Sequence, residues 1–184
     1  LRACGLQEVQ SLTLSNERDQ FEHVRWPNEG YVTEIANPIT SDHTLLRQYI
    51  LPSLLRLLAA NRHHELPQRV YELGDVIRDS KNFLRAAWAC AEVGSGFTSS
   101  KGIVQALLRD MGAIHDDVEF RPTDAEDGPW ISGRGSHVFI QDEKIGEFGE
   151  IDPKVSAFFG IKSPIQAGEI DLETIYRIIP DPIS

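Results

Sequence analysis

Apolar and polar positions alternate along several short stretches of this chain and fall at helical spacing along a few others. Residues 8–14, Glu8-Val9-Gln10-Ser11-Leu12-Thr13-Leu14, alternate with the period of a strand, and Gly5 before them suits the residue that closes a helix. Ser15-Asn16-Glu17 is an N-cap-like start for a short helix through Phe21. Trp26-Pro27-Asn28-Glu29-Gly30 predicts a turn, residues 31–35 a strand, and Asn37-Pro38 a stop. The clearest element follows. Thr40 or Ser41 caps a helical pattern in which Leu45, Leu46, Tyr49, Ile50, Leu54, Leu55, Leu57 and Leu58 form a broad apolar face. Pro52 lacks the N–H that a helix interior needs, so the segment is kinked or is two helices meeting at Leu51. Its face is wider than a helix covered on one side requires, which predicts burial on two sides or a subunit interface.

Further along, residues 68–76 and 85–93 carry strand patterns, the second apolar enough for the middle of a sheet. Ser99-Ser100 caps an amphipathic helix with Ile103, Val104, Leu107, Leu108 and Met111 on one face and Gly112 at its end. Residues 118–121 form a short strand. Residues 136–141 and 144–150 pair as a hairpin across Asp142-Glu143. Asp152-Pro153 opens a helix through Phe158-Phe159 that Gly160 closes. Residues 165–172 give the last strand, followed by a Pro-rich tail. Strands joined by tight turns dominate this order. It predicts an α+β domain with a largely antiparallel sheet and helices gathered on one face. A length of 184 residues suits one such domain over 1–184.

Composition adds constraints. The chain is 41% apolar and 25% charged, as soluble globular domains are, and no apolar run approaches the ~18 residues a membrane span needs. A net charge of −10, from 28 acids against 18 bases, disfavours a polyphosphate partner for the domain alone. Cys4 and Cys90 lie far apart without Cys-x-x-Cys spacing, which predicts two reduced thiols of a cytoplasmic protein. The chain lacks an initiator Met and opens like the last turn of a helix, so it is expected to be a fragment of a longer one.

Candidate chemistry is sparse. His63-His64-Glu65 and His115-Asp116-Asp117 have no spaced third ligand, and neighbouring side chains on a helix diverge, so no metal site is predicted. Ser132-Gly133-Arg134-Gly135-Ser136 is glycine-rich but lacks the Gly-x-x-x-x-Gly-Lys pattern and leads into a strand rather than a helix, so a turn is predicted. Arg47 stands out as a cation on the leucine-rich segment. A buried guanidinium needs a carboxylate, and Glu72 on the next strand is one candidate.

Four stretches, in order, resemble one family, the β subunits of phenylalanyl-tRNA synthetases of archaeal or eukaryotic type. Gly5-Leu6-Gln7-Glu8-Val9 resembles the opening of their C-terminal, class II catalytic-like module. Asn37-Pro38 with Ser41, Leu46-Arg47 and Leu51-Pro52-Ser53-Leu54-Leu55 resembles the family's "NP…S…LR…LLPGLL" segment, with Ser53 where Gly is usual. Arg69-Val70-Tyr71-Glu72-Leu73-Gly74-Asp75-Val76 is similar to its "(F/Y)E(I/L)GDV" strand. Gly133-Arg134, Ile145-Gly146, Phe148-Gly149, Asp152-Pro153 and Glu169-Ile170-Asp171-Leu172 resemble its closing segment, with Asp152 where His is common.

The resemblance implies a class II synthetase-like antiparallel sheet flanked by helices, and a module without catalysis of its own. In such enzymes one arginine holds the α-phosphate of ATP and another the γ-phosphate. Phe120-Arg121-Pro122-Thr123 only partly resembles the first arginine's motif, because Thr123 stands where an acid belongs. Glu169, Asp171 and Glu173 occupy the place of the second. The implied role is a scaffold for the catalytic α subunit in an (αβ)2 heterotetramer. The assembled enzyme would use ATP and Mg²⁺ to join phenylalanine to tRNA(Phe), with no cofactor in this module. Leu46, Arg47, Ile50, Leu54, Leu55 and Leu58 are the expected subunit interface. A rival expectation is a vestigial pocket for ATP or an amino acid, formed by Glu72, Arg134 and Glu169. Another is a free-standing homodimeric paralogue using the same helix.

Overall fold

The computed structural model describes residues 1–94, 96–113 and 115–179. Among them, nine strands and four α-helices occur: β1 (Gln7–Glu8), β2 (Leu14–Ser15), β3 (Leu45–Leu46), α1 (Leu51–Ala60), β4 (Gln68–Arg78), β5 (Lys81–Ala91), α2 (Phe97–Asp110), β6 (Val118–Pro122), β7 (Trp130–Ile140), β8 (Glu143–Ile151), α3 (Pro153–Phe158), β9 (Ile165–Asp171) and α4 (Leu172–Ile178). Seven strands form one sheet in the order β1-β4-β5-β9-β8-β7-β6. Only the β1–β4 pair is parallel, so the α+β, mostly antiparallel expectation holds.

The helices, however, cover both faces. The central strand β5 shows why. Ala87, Ala89 and Ala91 point to one side and pack in a core with Leu51, Leu54, Leu55, Leu58 and Ala59 of α1 and with Val155 of α3. Ala86, Trp88 and Cys90 point to the other, into a second core with Ile103, Val104 and Leu108 of α2 and with Leu172 and Ile175 of α4. Strand residues i and i+2 share a face, so a strand apolar at every position needs cover on both sides. Small alanines toward α1 let that helix lie close. On the other side Trp88 fills the space that Gly168, its cross-strand partner, leaves; a Cβ on Gly168 would meet the indole at 2.2 Å.

Several boundaries differ from the sequence pattern. The leucine-rich segment does not begin as a helix. Leu45–Leu46 is a strand paired with Leu14–Ser15, and Arg47 N–H donates to Thr13 O at 2.8 Å, so α1 starts only at Leu51 with Pro52 in its first turn. The alternating residues 8–14 divide between β1 and β2, and 31–35 contributes one bridge, Glu34 to Leu45, instead of a strand. In place of an α-helix after Ser15 there is a π-helical turn, Arg18–Glu22. The strand expected at 85–93 begins at Lys81, because Asp79 and Ser80 take left-handed φ of 49° and 59° and close a two-residue hairpin with β4. The β7–β8 turn is centred on Gln141-Asp142, one residue earlier than expected, with φ of 50° and 66°. Gly133 and Arg134 lie inside β7, at a register shift, rather than before it. Helix α2 starts at Phe97, before the expected cap. The chain also continues past β9 into α4, whose cap, Asp171, accepts from Thr174 N at 3.1 Å. Most of the Pro-rich tail lies outside the described residues.

Candidate functional site

A row of polar residues crosses the α1 face of the sheet. Cross-strand register places Glu72 of β4 beside Ala87 of β5, Ala87 beside Glu169 of β9, Glu169 beside Glu147 of β8, Glu147 beside His137 of β7, and His137 beside Arg121 of β6. Three of these are buried carboxylates, with Glu72 and Glu169 each 1% and Glu147 7% exposed. A buried carboxylate persists only where donors meet it.

Each has found its donors. Glu72 Oε1 accepts from Arg47 Nη2 at 2.8 Å, and its Oε2 accepts from Ser11 Oγ at 2.5 Å. Arg47 is buried as well, and it donates further to Asp75 O at 3.0 Å and Ser11 Oγ at 2.9 Å. Gly74 leaves the room for this clamp: a Cβ there would lie 2.6 Å from Arg47 Nη2. Glu169 Oε1 accepts from the backbone N–H groups of Ile50 and Leu51 at 2.8 and 2.7 Å, at the start of α1. Those are donors that a helix leaves unpaired at its N-terminus, and a negative charge also suits the positive end of the dipole. Its Oε2 accepts from Arg85 Nε at 2.6 Å. Glu147 Oε1 accepts from the Trp130 indole at 3.1 Å, and Oε2 faces Lys144 Nζ at 3.3 Å.

Beyond Glu169, where α1 no longer covers the sheet, a small cavity of about 180 Å³ opens. Tyr49, Trp26, Arg78, Arg85 and Glu147 line it with Glu169. Tyr49 is fixed by donating to Pro27 O at 2.6 Å, and the guanidinium carbons of Arg78 and Arg85 stand 5.1 and 5.9 Å from its ring centre. Burial first, then Glu29, pushes the Tyr49 phenol well above its ordinary range. Burial and the neighbouring charge of Arg85 lower Arg78, which pairs with Glu29 and donates to Gln48 O at 2.9 Å. Arg85 is raised: burial works against its charge, but Glu169 outweighs it.

The residues singled out in the sequence fall into separate places. Arg47 does pair with Glu72. Arg47, Ile50, Leu54, Leu55 and Leu58 are 0–3% exposed within the chain, while Leu46 is half-buried on β3. Glu72, Arg134 and Glu169 do not converge. Glu72 and Glu169 are separated by β5, and Arg134 donates to Glu150 Oε2 at 3.0 Å beside a different cleft, next to Gly96 and Phe97. Arg121 lies on the outer strand β6, bonded to Glu119 and Asp142. Missed altogether were Trp26, Tyr49, Arg78, Arg85 and Glu147. For Arg85 and Glu147 the signal was a lone charge among small or apolar residues, in Leu84-Arg85-Ala86 and Gly146-Glu147-Phe148. Cys4 is an exposed free thiol, and Cys90 a buried one that desolvation pushes up to about 12.

Comparison with known proteins identifies the family. The family described as the phenylalanyl tRNA synthetase beta chain CLM domain matches residues 1–172. The phenylalanine–tRNA ligase beta subunit of Methanococcoides burtonii is 36% identical over 168 residues, 91% of this chain and 30% of that protein. The subunit of the same name from Archaeoglobus fulgidus is 35% identical over 174 residues, and that from Pyrococcus horikoshii 38% over 180, each covering 94% of this chain and 31% of the relative. The chain thus spans about a third of the length of these curated relatives. With the Arg47–Glu72 clamp, the Leu51–Ala60 helix and the closing Glu169 strand all inside the matched residues, this chain belongs to the phenylalanyl tRNA synthetase beta chain CLM domain family.

Proposed function

We propose that this chain is a non-catalytic scaffold module within a longer β subunit of a cytoplasmic phenylalanine–tRNA ligase. In this reading it packs against the catalytic α subunit in an (αβ)2 assembly, which charges tRNA(Phe) using ATP and Mg²⁺. The mostly antiparallel seven-stranded sheet with helices on both faces supports a class II synthetase-like fold. The observation that carries the scaffold reading is the use made of the polar row. Glu169 holds Arg85 and the N–H groups of Ile50 and Leu51 at the start of α1, and Glu72 holds Arg47, so the charges that would handle a substrate hold a helix and a strand together instead.

Helix α1 is the proposed contact with the α subunit, with Leu46, Arg47, Ile50, Leu54, Leu55 and Leu58 fixing it from beneath. Its outward side offers half-buried Leu57 and exposed Arg56 and Ala60. Asp at Leu54 or Leu58 would unfold the chain, so the assembly test uses Leu57→Asp with Ala60→Asp. Tagged α subunit from the same organism should co-purify with this chain in stoichiometric amounts, by mass determination, and the double variant should not. Failure of the well-folded wild-type chain to associate refutes the scaffold reading.

A further inference from the structure

At its C-terminal end α1 borders a second cleft, of about 410 Å³, far along the helix from Glu169. The loop after α1 and the loop between α3 and β9 form its sides, over the adjoining ends of β4 and β5. Buried Leu58, Ala91 and Ile161 give it an apolar floor, and Leu66, 45% exposed, adds an apolar edge. Arg62 and His63 enter from the first loop and Lys162 from the second. All three are exposed, and none is paired with a carboxylate among the described residues. No Asp or Glu lines the cleft, in a chain with 28 acids against 18 bases; Glu65, on the first loop, lies outside it. Basic side chains gathered without a carboxylate attract an anion from outside.

Two of the polar groups are already held in place. Arg62 Nη1 donates to Ala59 O, in the last turn of α1, at 3.1 Å. That bond orients the guanidinium and leaves its Nε and Nη2 without partners among the described residues. The same two nitrogens of Arg56 grip the Asp19 carboxylate at 2.7 and 2.6 Å, so the open edge of Arg62 is the one suited to a carboxylate. Gln68 Nε2 donates to Asn61 O at 2.9 Å and His64 O at 3.2 Å, which leaves Oε1 to accept an N–H. A carboxylate, an N–H and an apolar side chain on one residue are what the end of a polypeptide presents. A free amino acid adds an ammonium that would meet only cations here. Inorganic phosphate would use the cations and leave the apolar floor bare.

We propose that this cleft binds the C-terminal end of a partner polypeptide. The α-carboxylate meets Arg62 and Lys162, the last backbone N–H meets Gln68, and an apolar last side chain covers Leu58 and Ile161. The proposal is independent of the scaffold reading, because it uses the loops beyond α1 and leaves Arg56, Leu57 and Ala60 uncovered.

A nuclear magnetic resonance titration of the isotope-labelled chain tests this. Backbone amide signals of Leu66, Gly160 and Ile161 report the cleft. The indole N–H of Trp88, bonded to Ser100 and Gln166 on the other face of the sheet, is the internal control. The probes are acetylated tripeptides ending in Leu, Ile or Phe, each as the free acid and as the C-terminal amide, with inorganic phosphate and free leucine beside them. At least one acid should move the cleft signals saturably and leave Trp88 in place. Its amide, phosphate and free leucine should each bind about tenfold more weakly or worse. Arg62→Gln and Lys162→Gln, both at exposed positions, should each weaken the acid about tenfold, the effect of one charge-assisted contact, and leave the amide unchanged. Absence of a saturable shift with all three acids overturns the proposal. So does an amide as tight as its acid, which would make the cleft a plain apolar groove. Phosphate as tight as the acids, which would make it a plain anion site, and an acid affinity indifferent to Arg62→Gln overturn it equally.

Discussion

Replacing Glu169 by Gln tests the central ion pair with little change of shape. The amide can present its oxygen to Ile50 N and Leu51 N, keeping the bonds now at 2.8 and 2.7 Å, but then turns its NH₂ group toward Arg85 Nε, now 2.6 Å from the carboxylate. Two donors face each other, and a guanidinium 8% exposed loses its counter-ion. Removing one partner of a buried pair costs about 3–5 kcal/mol, and weakening the charge at a helix N-terminus adds about 0.5 kcal/mol. The total, roughly 4 kcal/mol, is a large fraction of the ~5–15 kcal/mol that holds such a domain folded. Urea denaturation followed by tryptophan fluorescence should therefore show a midpoint lower by about 1 M or more at unchanged slope. Glu143→Gln, which breaks the exposed pair with Arg177, should leave the midpoint in place. A loss below about 1 kcal/mol for Glu169→Gln would refute the reasoning, because it would mean that Arg85 finds water or another carboxylate without penalty.

Gly74→Ala should cost about 2–3 kcal/mol, since its methyl would sit 2.6 Å from Arg47 Nη2 and force the buried clamp apart; a melting temperature within about 2 °C of wild type would contradict this. Asp152→Ala removes the side chain that accepts from Lys154 N at 2.9 Å and caps α3, for an expected loss of about 1 kcal/mol in the same urea assay. His23 stacks on Phe158 at 4.4 Å, and burial lowers its pKa below the ordinary 6.5. The unfolded chain therefore binds the proton more readily, so this contribution is full above 6.5 and declines as pH falls through the lowered value. His23→Phe should flatten the stability–pH curve in that acid window, and an unchanged curve would show that other groups carry it.

Much of the sheet was legible in the sequence because its strands are set off by turns, and because a run like that of β5, apolar at nearly every position, is stable only with cover on both faces. The Arg47–Glu72 pair was legible for a related reason: a charge among leucines has few affordable states. What local pattern could not show was the start of α1. Leu45 and Leu46 have helical spacing to Ile50 and Leu54, yet Arg47 N is drawn to Thr13 O, a partner far away in the chain. Residues 8–14 alternate as one strand but divide because Ser11 turns to Glu72 instead. The site fared worst. Arg78 and Arg85 meet around Tyr49 only through the β4–β5 hairpin, and its turn, Asp79-Ser80, lacks the glycine that usually marks a left-handed pair. Arg134, picked from a glycine-rich run, lies where β7 shifts register and pairs with Glu150.

The cap that Glu169 places on α1 spans 118 residues from Leu51, and that span has a temporal meaning. On a ribosome adding about 5–20 residues per second, α1 emerges roughly 6–24 s before the carboxylate that completes it. During that interval its leucines face strands that are only partly built, and an isolated helix of ten residues is not stable in water. The order of folding is thereby tied to the order of synthesis: the hairpin of β4 and β5 can form early from local contacts, while the N-terminal cap of α1 is completed only once β9 has been made. Variants that loosen Glu169 should therefore slow folding as well as shorten the life of the folded state, leaving an apolar helix exposed for longer in the growing chain.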